Sequence, residues 1–138
     1  MASFISHTSI DCGNAYELSE WWKPVLGYVD VPGDPNEPGH EECMIIDPAG
    51  AGPQVLFLEV PEAKERKNRL HFDLRPRERT RDEEVAWAVE HGATQVADLR
   101  GEHGPGTGWV VLADPEGNEF CILRSEGEIA AARVQGSI

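Results

Sequence analysis

The sequence predicts an α+β fold built from two tandem modules, each in the order strand, helix, strand, strand, strand. Two stretches, 4–12 and 68–75, alternate apolar and polar residues as strands do, and a segment with helical spacing of apolar residues follows each. Landmarks then recur at separations of 64, 65 and 67 positions: His7 and His71, Gly27 and Gly92, and Asp47-Pro48 and Asp114-Pro115. A steady drift of this kind is what loop insertions in a duplicated unit produce.

The composition is globular and strongly acidic. The 138 residues suffice for one compact domain or two small fused modules. A net charge of −13 opposes binding to nucleic acid and to anionic membranes, and favours cationic or polar aromatic compounds as ligands. No apolar run approaches the ~20 residues of a membrane span, and no signal peptide is evident, so we expect a cytoplasmic protein.

Two further residue classes bear on function. The three cysteines, Cys12, Cys43 and Cys121, lack zinc-knuckle spacing and have strand-like neighbours, which predicts buried free thiols in a reducing compartment. The basic residues cluster in two runs, 64–69 and 75–81, where they alternate with acidic residues. This alternation is typical of a solvated surface.

The first module covers residues 3–60. Its predicted elements are a strand at 4–12, a helix at 15–26, and strands at 28–31, 42–46 and 54–60. Asn14 is the expected N-cap of the helix and Gly27 its end, with Pro24 tolerated in the last turn. A loop rich in proline and glycine separates the strands at 28–31 and 42–46.

A charged linker at 61–67 leads to the second module, residues 68–125. Its predicted elements are a strand at 68–75, a helix from Thr80 to Gly92, and strands at 93–99, 109–113 and 119–124. Thr80 and Glu83 form a capping-box pattern. The glycines of the loop 100–108 indicate mobility, and residues 126–138 form a C-terminal tail with an alanine-rich, helix-compatible middle.

The strand at 68–75 is the best candidate for carrying chemistry. Its alternation puts Leu70, Phe72 and Leu74 on one side and His71 and Asp73 on the other. The polar side either meets solvent or lines a pocket that holds a ligand or a metal ion. In the first module, the strand at 4–12 correspondingly puts His7 and Asp11 on one face.

The motifs that carry a family resemblance are Glu20-Trp21-Trp22, Val25-Leu26-Gly27-Tyr28, Leu70-His71-Phe72-Asp73-Leu74 and Asp114-Pro115-Glu116-Gly117-Asn118. Over residues 3–125 the chain resembles the vicinal oxygen chelate superfamily, which includes glyoxalase I, bleomycin-resistance proteins, fosfomycin-resistance enzymes and extradiol dioxygenases, and is most similar to its small glyoxalase-like branch. The resemblance implies a single glyoxalase-like domain, with curved mixed sheets around a cleft and helices on their outer faces. It also implies a small-molecule ligand and a homodimer.

The resemblance implies metal ligands too. Metal-dependent members use a histidine on the first strand, a histidine on the fifth and a glutamate on the eighth, and His7 and His71 match the first two. The glutamate falls seven residues after the aspartate of the Asp-Pro turn, which here is Cys121. A set of His7, His71 and Cys121 suits one divalent ion such as zinc, whereas a carboxylate in place of the thiolate suits iron or manganese, and nickel is a further candidate.

Other residues are candidates for binding or proton transfer. Glu119 and Asp73 are candidate catalytic carboxylates. Trp109, His103 and Asp11 are candidates for contacting a ligand, with Trp109 able to stack on a flat one. Alternatively, Cys121 is a small core residue, and Trp21, Trp22 and Trp87 pack in the core. Two functions follow: ligand binding and sequestration in a cleft, or a metal-dependent lyase or isomerase using His7 and His71. Whether the chain is an enzyme stays open at this point.

Overall fold

The computed structural model describes residues 1–135, and within them it contains three α-helices and eight β-strands. The chain divides into two compact units, Met1–Lys64 and a second that begins at Glu65. No helix of the described residues is both long and apolar enough to cross a membrane.

The first unit is a four-stranded mixed sheet with one helix. Its elements are β1 (His7–Cys12), α1 (Ala15–Leu26), β2 (Val29–Asp30), β3 (Glu42–Ile46) and β4 (Gln54–Glu59). The strand order is β1-β4-β3-β2. Strand β1 runs parallel to β4, and the other neighbours are antiparallel.

The second unit has the same topology with one more helix. Its elements are β5 (Phe72–Leu74), α2 (Arg81–Glu90), β6 (Thr94–Asp98), β7 (Val110–Ala113), β8 (Glu119–Ile122) and α3 (Glu126–Val134). The strand order β5-β8-β7-β6 matches the first unit. The predicted α+β class and the repeated strand-helix-three-strand order are therefore confirmed.

The pairing register repeats between the units. In the first unit Thr8 pairs with Val55 across β1 and β4. In the second, Phe72 pairs with Phe120 across β5 and β8. The offsets are 64 positions between β1 and β5 and 65 between β4 and β8, so the paired positions of these strands have equivalents in the two units.

Predicted local signals determine where the helices begin and end. Asn14 Oδ1 accepts a hydrogen bond from the Glu17 N–H (3.0 Å), and Gly27 ends α1 in the left-handed conformation. Thr80 and Glu83 form the predicted capping box of α2. Pro24 lies within the last turn of α1 without ending it. These predictions are confirmed.

Both Asp-Pro turns are held by the aspartate side chain. Asp47 accepts hydrogen bonds from the N–H groups of Ala49 and Gly52, at 2.9 and 2.8 Å. Asp114 likewise accepts from Glu116 and Asn118, at 2.9 and 3.0 Å. Each carboxylate is buried, so it takes the place of water for backbone donors in a tight turn.

Each unit buries one face of its sheet under its first helix. The core of the first unit includes Leu18, Trp21, Trp22, Ile45, Val55 and Phe57, and that of the second Val85, Ala88, Val110, Leu112, Phe120 and Ile122. All three cysteines are buried and free, as predicted. Trp21 and Trp22 pack in the core as predicted. Trp87 is only half-buried, and it contacts two side chains near the surface: it stacks on His91 (ring centroids 4.8 Å apart) and lies beside the Arg79 guanidinium.

Two segments differ from the sequence prediction. The strand expected at 68–75 forms only at Phe72–Leu74, and Leu70 is 88% exposed. Strand β5 is at the edge of the sheet and pairs only with the four-residue β8, so the residues before it lack a partner strand. Within the predicted tail, α3 begins after a second capping box formed by Ser125 and Glu128, and residues 136–138 lie outside the described part.

Candidate functional site

A cavity of about 640 Å³ lies on the second unit, on the sheet face opposite its core. The face follows from strand alternation: in β8, Phe120 and Ile122 are core residues, whereas Glu119 and Cys121 line the cavity. The full lining consists of Lys67, His71, Asp73, Arg75, Leu99, Thr107, Gly108, Trp109, Val111, Glu119, Cys121, Leu123, Arg124 and Ile129.

The cavity contains a cluster of three potential ligand atoms. Asp73 and Cys121 are partners in the β5–β8 ladder, and His71 precedes β5 on the same side as Asp73. His71 Nε2 is 3.3 Å from Asp73 Oδ1, and one ligand atom from each of the three residues lies within 4.8 Å of the others. His71 and Asp73 are exposed and Cys121 is buried, so the cluster opens toward solvent from a buried base.

Cys121 is protonated in this environment. Burial, the charge of Asp73 and a hydrogen bond to Asp73 raise the pKa of the thiol to about 11, against a smaller opposing effect of Lys67. At neutral pH the thiol therefore donates a hydrogen bond to the carboxylate. Since the thiolate is the reactive form, Cys121 is not prepared to act as a nucleophile.

The donor types of the cluster fit a divalent ion. An imidazole, a carboxylate and a thiol that deprotonates on coordination are ligands of zinc, and the carboxylate and imidazole are also ligands of manganese and iron. Of the predicted ligands, the structure brings His71 and Cys121 together and adds Asp73, which the sequence suggested for proton transfer. His7 lies on β1 of the first unit, with its Nδ1 3.0 Å from Ser6 Oγ.

Glu119 lines the cavity and also anchors the chain ahead of β5. Its Oε1 accepts a hydrogen bond from the Asn68 N–H (2.9 Å), and the Asn68 side chain donates to Asn118 Oδ1 (3.0 Å). This contact fixes the segment that leads to His71. One oxygen of the predicted catalytic carboxylate thus has a structural partner.

Arg81 shapes the cavity wall, a role that sequence analysis missed. Its side chain is buried, and Nη1 donates hydrogen bonds to the carbonyl oxygens of Thr107 and Gly108, at 2.9 and 3.0 Å. Both loop residues line the cavity. Arg81 belongs to a basic run that was interpreted as solvated surface, and this interpretation was wrong for Arg81, because its position directly after the Thr80 cap faces the loop.

The C-terminal helix contributes to the same wall. Glu128 Oε2 accepts hydrogen bonds from the N–H groups of Arg81 and Ser125, both at 2.8 Å, so one carboxylate joins the starts of α2 and α3. Ile129, the next residue, lines the cavity. The sequence carried a signal for this helix in its Ser125-Glu126-Gly127-Glu128 capping pattern.

The glycine-rich loop before Trp109 has a definite conformational requirement. Gly101, Gly104, Gly106 and Gly108 all have positive φ angles. At Gly108, with φ of +87°, an added Cβ would lie 1.9 Å from the Leu99 carbonyl oxygen. These glycines serve backbone geometry and close approach, which is a different reason from the predicted mobility.

The candidate ligand contacts from sequence occupy different places. Trp109 lines the cavity and is 38% exposed. His103 is exposed in the loop and is not part of the lining. Asp11 is exposed on β1 of the first unit.

The sequence from residue 7 to 123 matches the family model of the glyoxalase-like domain. A search of curated protein sequences found no match.

Solved structures of low sequence identity share the fold. The fosfomycin resistance protein FosX from Listeria monocytogenes, crystallised as a mutant with Mn(II) and 1S,2S-dihydroxypropylphosphonic acid, is 15% identical, with a TM-score of 0.66 over 97% of this chain and 99% of that one. A glyoxalase/bleomycin resistance protein/dioxygenase family enzyme from Burkholderia phytofirmans is 21% identical, with a TM-score of 0.61 over 85% and 94%. A glyoxalase-related enzyme from Fulvimarina pelagi is 16% identical, with a TM-score of 0.63 over 91% and 90%. The chain belongs to the glyoxalase-like domain family.

Proposed function

We propose that the chain binds a small organic molecule in the cavity of its second unit. The observation that carries this proposal is the composition of the cavity, which combines an aliphatic wall with a polar cluster. Leu99, Val111, Leu123 and Ile129 supply the wall, and His71, Asp73 and Cys121 the cluster. A volume of about 640 Å³ is in the range of ligand sites, where apolar walls bind and a few polar groups orient.

Filling the cavity tests this proposal. Val111 is a lining residue on β7, and Val111→Trp should occupy the space that a ligand needs. Val96 on β6 is 56% exposed and lies outside the lining, so Val96→Trp is the matched control. Aromatic antibiotics and hemithioacetals of α-ketoaldehydes are the first compounds to titrate.

The readout is fluorescence of Trp109 with isothermal titration calorimetry. A ligand should change the emission of the native protein, and Trp109→Phe should lose that change. Binding should vanish in Val111→Trp and persist in Val96→Trp. Equal affinity of both tryptophan variants would place the ligand elsewhere and refute the proposal.

A second candidate function is a metal-dependent lyase or isomerase of glyoxalase type. It is favoured by the convergence of His71, Asp73 and Cys121, and the solved FosX neighbour was crystallised with Mn(II). The ion, which we expect to be zinc, nickel, manganese or iron, would polarise oxygen atoms of a bound substrate. His71 and Cys121 would hold it, together with His7 by family resemblance, and Glu119 or Asp73 would move a proton.

Metal uptake separates this candidate from a metal-free binder. Elemental analysis after titration with each of the four ions should find about one equivalent in the native protein and none in His71→Ala. His103→Ala is the control, because His103 is exposed and outside the lining. If the native protein takes up none of these ions, the metalloenzyme candidate is wrong, whereas aldehyde turnover that His71→Ala abolishes would favour it.

The homodimer and the cytoplasmic location stay predictions. Gel filtration of a homodimer should give twice the 15.2 kDa of one chain. Elution at the monomer mass would contradict it.

A further inference from the structure

We propose that the cavity of the second unit selects ligands that carry a negative charge on an apolar body. This inference rests on the proposed ligand site and adds the ligand's chemical class. It runs against the whole chain, whose charge of −13 favours cationic ligands at long range. The local charges that line the cavity have the opposite balance.

Three cations line the cavity without a carboxylate partner. Lys67, Arg75 and Arg124 all belong to the lining, and among residues 1–135 none of them forms a salt bridge. Arg75 Nη1 donates a hydrogen bond to the Arg124 carbonyl oxygen (2.8 Å), which is a neutral partner. Lys67 and Arg75 are exposed, as the basic-run prediction of a solvated surface expects, and they also line the cavity.

Several cations outside the lining form salt bridges with carboxylates. Lys23 pairs with Glu20 and Asp30, Arg100 with Asp82 and Asp98. With 25 acidic and 12 basic residues, partners are abundant. Three cations that line one cavity and have no carboxylate partner among residues 1–135 form a preformed anion site, because a ligand anion can interact with them without displacing an existing salt bridge.

The two carboxylates of the lining are already engaged. Asp73 lies beside His71 and accepts from the Cys121 thiol, and Glu119 accepts from the Asn68 N–H. Three cationic and two anionic side chains leave a formal excess of one positive charge, before any contribution from His71.

The remaining wall is apolar. Leu99, Trp109, Val111, Leu123 and Ile129 offer surface to a hydrocarbon or aromatic group. An inorganic anion would leave this surface uncovered, whereas an aryl or alkyl carboxylate or phosphonate would contact both parts. The inferred ligand class is therefore an amphiphilic anion of modest size.

A charge series of one shape tests the inference by calorimetry. The probes are 4-phenylbutyrate, 4-phenylbutanol and 4-phenylbutylamine, which share a body and differ in the charge of the end group. We expect the carboxylate to bind at least about fivefold more tightly than the alcohol and the amine to bind most weakly. Equal or tighter binding of the alcohol or amine would overturn the inference.

A matched pair of variants tests whether the cavity cations cause the preference. Lys67→Gln and Arg69→Gln each remove one positive charge from the same segment, but Arg69 is exposed and does not line the cavity. Lys67→Gln should weaken carboxylate binding by up to about fivefold and leave alcohol binding unchanged. An equal effect of Arg69→Gln would assign the preference to the general field of the protein and overturn the inference.

The outcomes distinguish this inference from the proposed function. If the cavity binds a neutral compound in the Trp109 titration but none of the anions, the anion preference is wrong and the ligand site stands. If no compound of any charge binds, the ligand site itself is wrong.

Discussion

Asp73→Asn should make the Cys121 thiol more acidic in the metal-free protein. Asp73 raises the pKa of Cys121 in two ways, since its negative charge opposes the thiolate and its oxygen accepts the thiol hydrogen bond. An asparagine removes the charge and keeps a similar shape. The substitution leaves Cys121 buried. The effect of the carboxylate on the pKa of Cys121 can therefore be separated from the effect of burial.

The expected increase in Cys121 thiolate depends on how much of the raised pKa is due to Asp73 and how much to burial. A thiol with a pKa of about 11 instead of the ordinary 9.0 has roughly 100-fold less thiolate near pH 8. Burial is the largest cause, so Asp73→Asn should restore only part of this factor. We expect thiolate-dependent alkylation of Cys121 near pH 8 to rise by roughly 3- to 30-fold, with a midpoint that stays above the ordinary value.

The assay is alkylation by iodoacetamide after treatment with a chelator. Mass spectrometry of the digested protein follows Cys121 separately from the other two cysteines, and the rate is measured from about pH 7 to about pH 11 to locate the midpoint. The control is Glu119→Gln, which removes a negative charge from the same cavity and keeps an acceptor for the Asn68 N–H. Glu119 is not among the causes of the raised pKa of Cys121. The alkylation of Cys121 in Glu119→Gln should therefore depend on pH as it does in the native protein.

Two results would refute this account. A native midpoint near the ordinary thiol value would show that neither burial nor Asp73 acts on Cys121 as described. A profile of Asp73→Asn that superimposes on the native one would remove the carboxylate from the explanation and leave burial alone.

Substitutions at three further positions test the supports of the cavity and of the second Asp-Pro turn by denaturant unfolding. Gly108→Ala should cost about 2–4 kcal/mol of unfolding free energy, because its Cβ would collide with the Leu99 carbonyl at a positive φ; a native-like value would contradict the loop geometry. Arg81→Met should cost about 2–4 kcal/mol of unfolding free energy, because the hydrogen bonds to two loop carbonyls are lost, and it should also weaken ligand binding. If both the unfolding free energy and the ligand affinity stayed native-like, the cavity wall would not depend on Arg81. Asp114→Ala should cost about 1–3 kcal/mol and Asp114→Asn, which keeps the acceptor oxygen, clearly less; equal costs would exclude the turn hydrogen bonds as the cause.

The sequence predicted those parts of the fold that depend on local chemistry. Asn14, Thr80 and Gly27 mark helix ends because caps satisfy backbone groups within a few residues. The repeat was visible because the spacing of landmarks survives duplication. Strand length was less predictable, since the residues at 68–71 alternate as a strand does but have no partner strand to pair with.

The candidate site was only partly predictable, because it depends on which strands are neighbours. His71 and Asp73 were recognised as one polar face from alternation alone. The proximity of Asp73 to Cys121 required the β5–β8 register, and the burial of Arg81 required the loop to pack against the start of α2. Neither follows from spacing along the chain.

The repeated register explains why the cluster occurs in the second unit and offers a last test. Ser9 and Leu56 are register partners in the first unit, at the positions equivalent to Asp73 and Cys121. The first unit therefore has a histidine at the equivalent place, His7, but neither the carboxylate nor the thiol. Divergence at two cross-strand positions accounts for the difference between the units.

If the strand register is what brings the carboxylate of Asp73 and the thiol of Cys121 together, the same pair of groups placed at the equivalent positions of the first unit should also interact. In Leu56→Cys the introduced thiol should titrate at a lower pH than in the double variant Leu56→Cys with Ser9→Asp, because the new carboxylate would face the thiol across β1 and β4. The control places the carboxylate one residue away, as Leu56→Cys with Thr8→Asp, where alternation turns it to the other face. Alkylation profiles followed by mass spectrometry measure all three. If the thiol midpoint were the same with and without the aspartate at position 9, cross-strand register would not suffice to couple a carboxylate and a thiol in this fold, and the account of Cys121 would have to rest on burial.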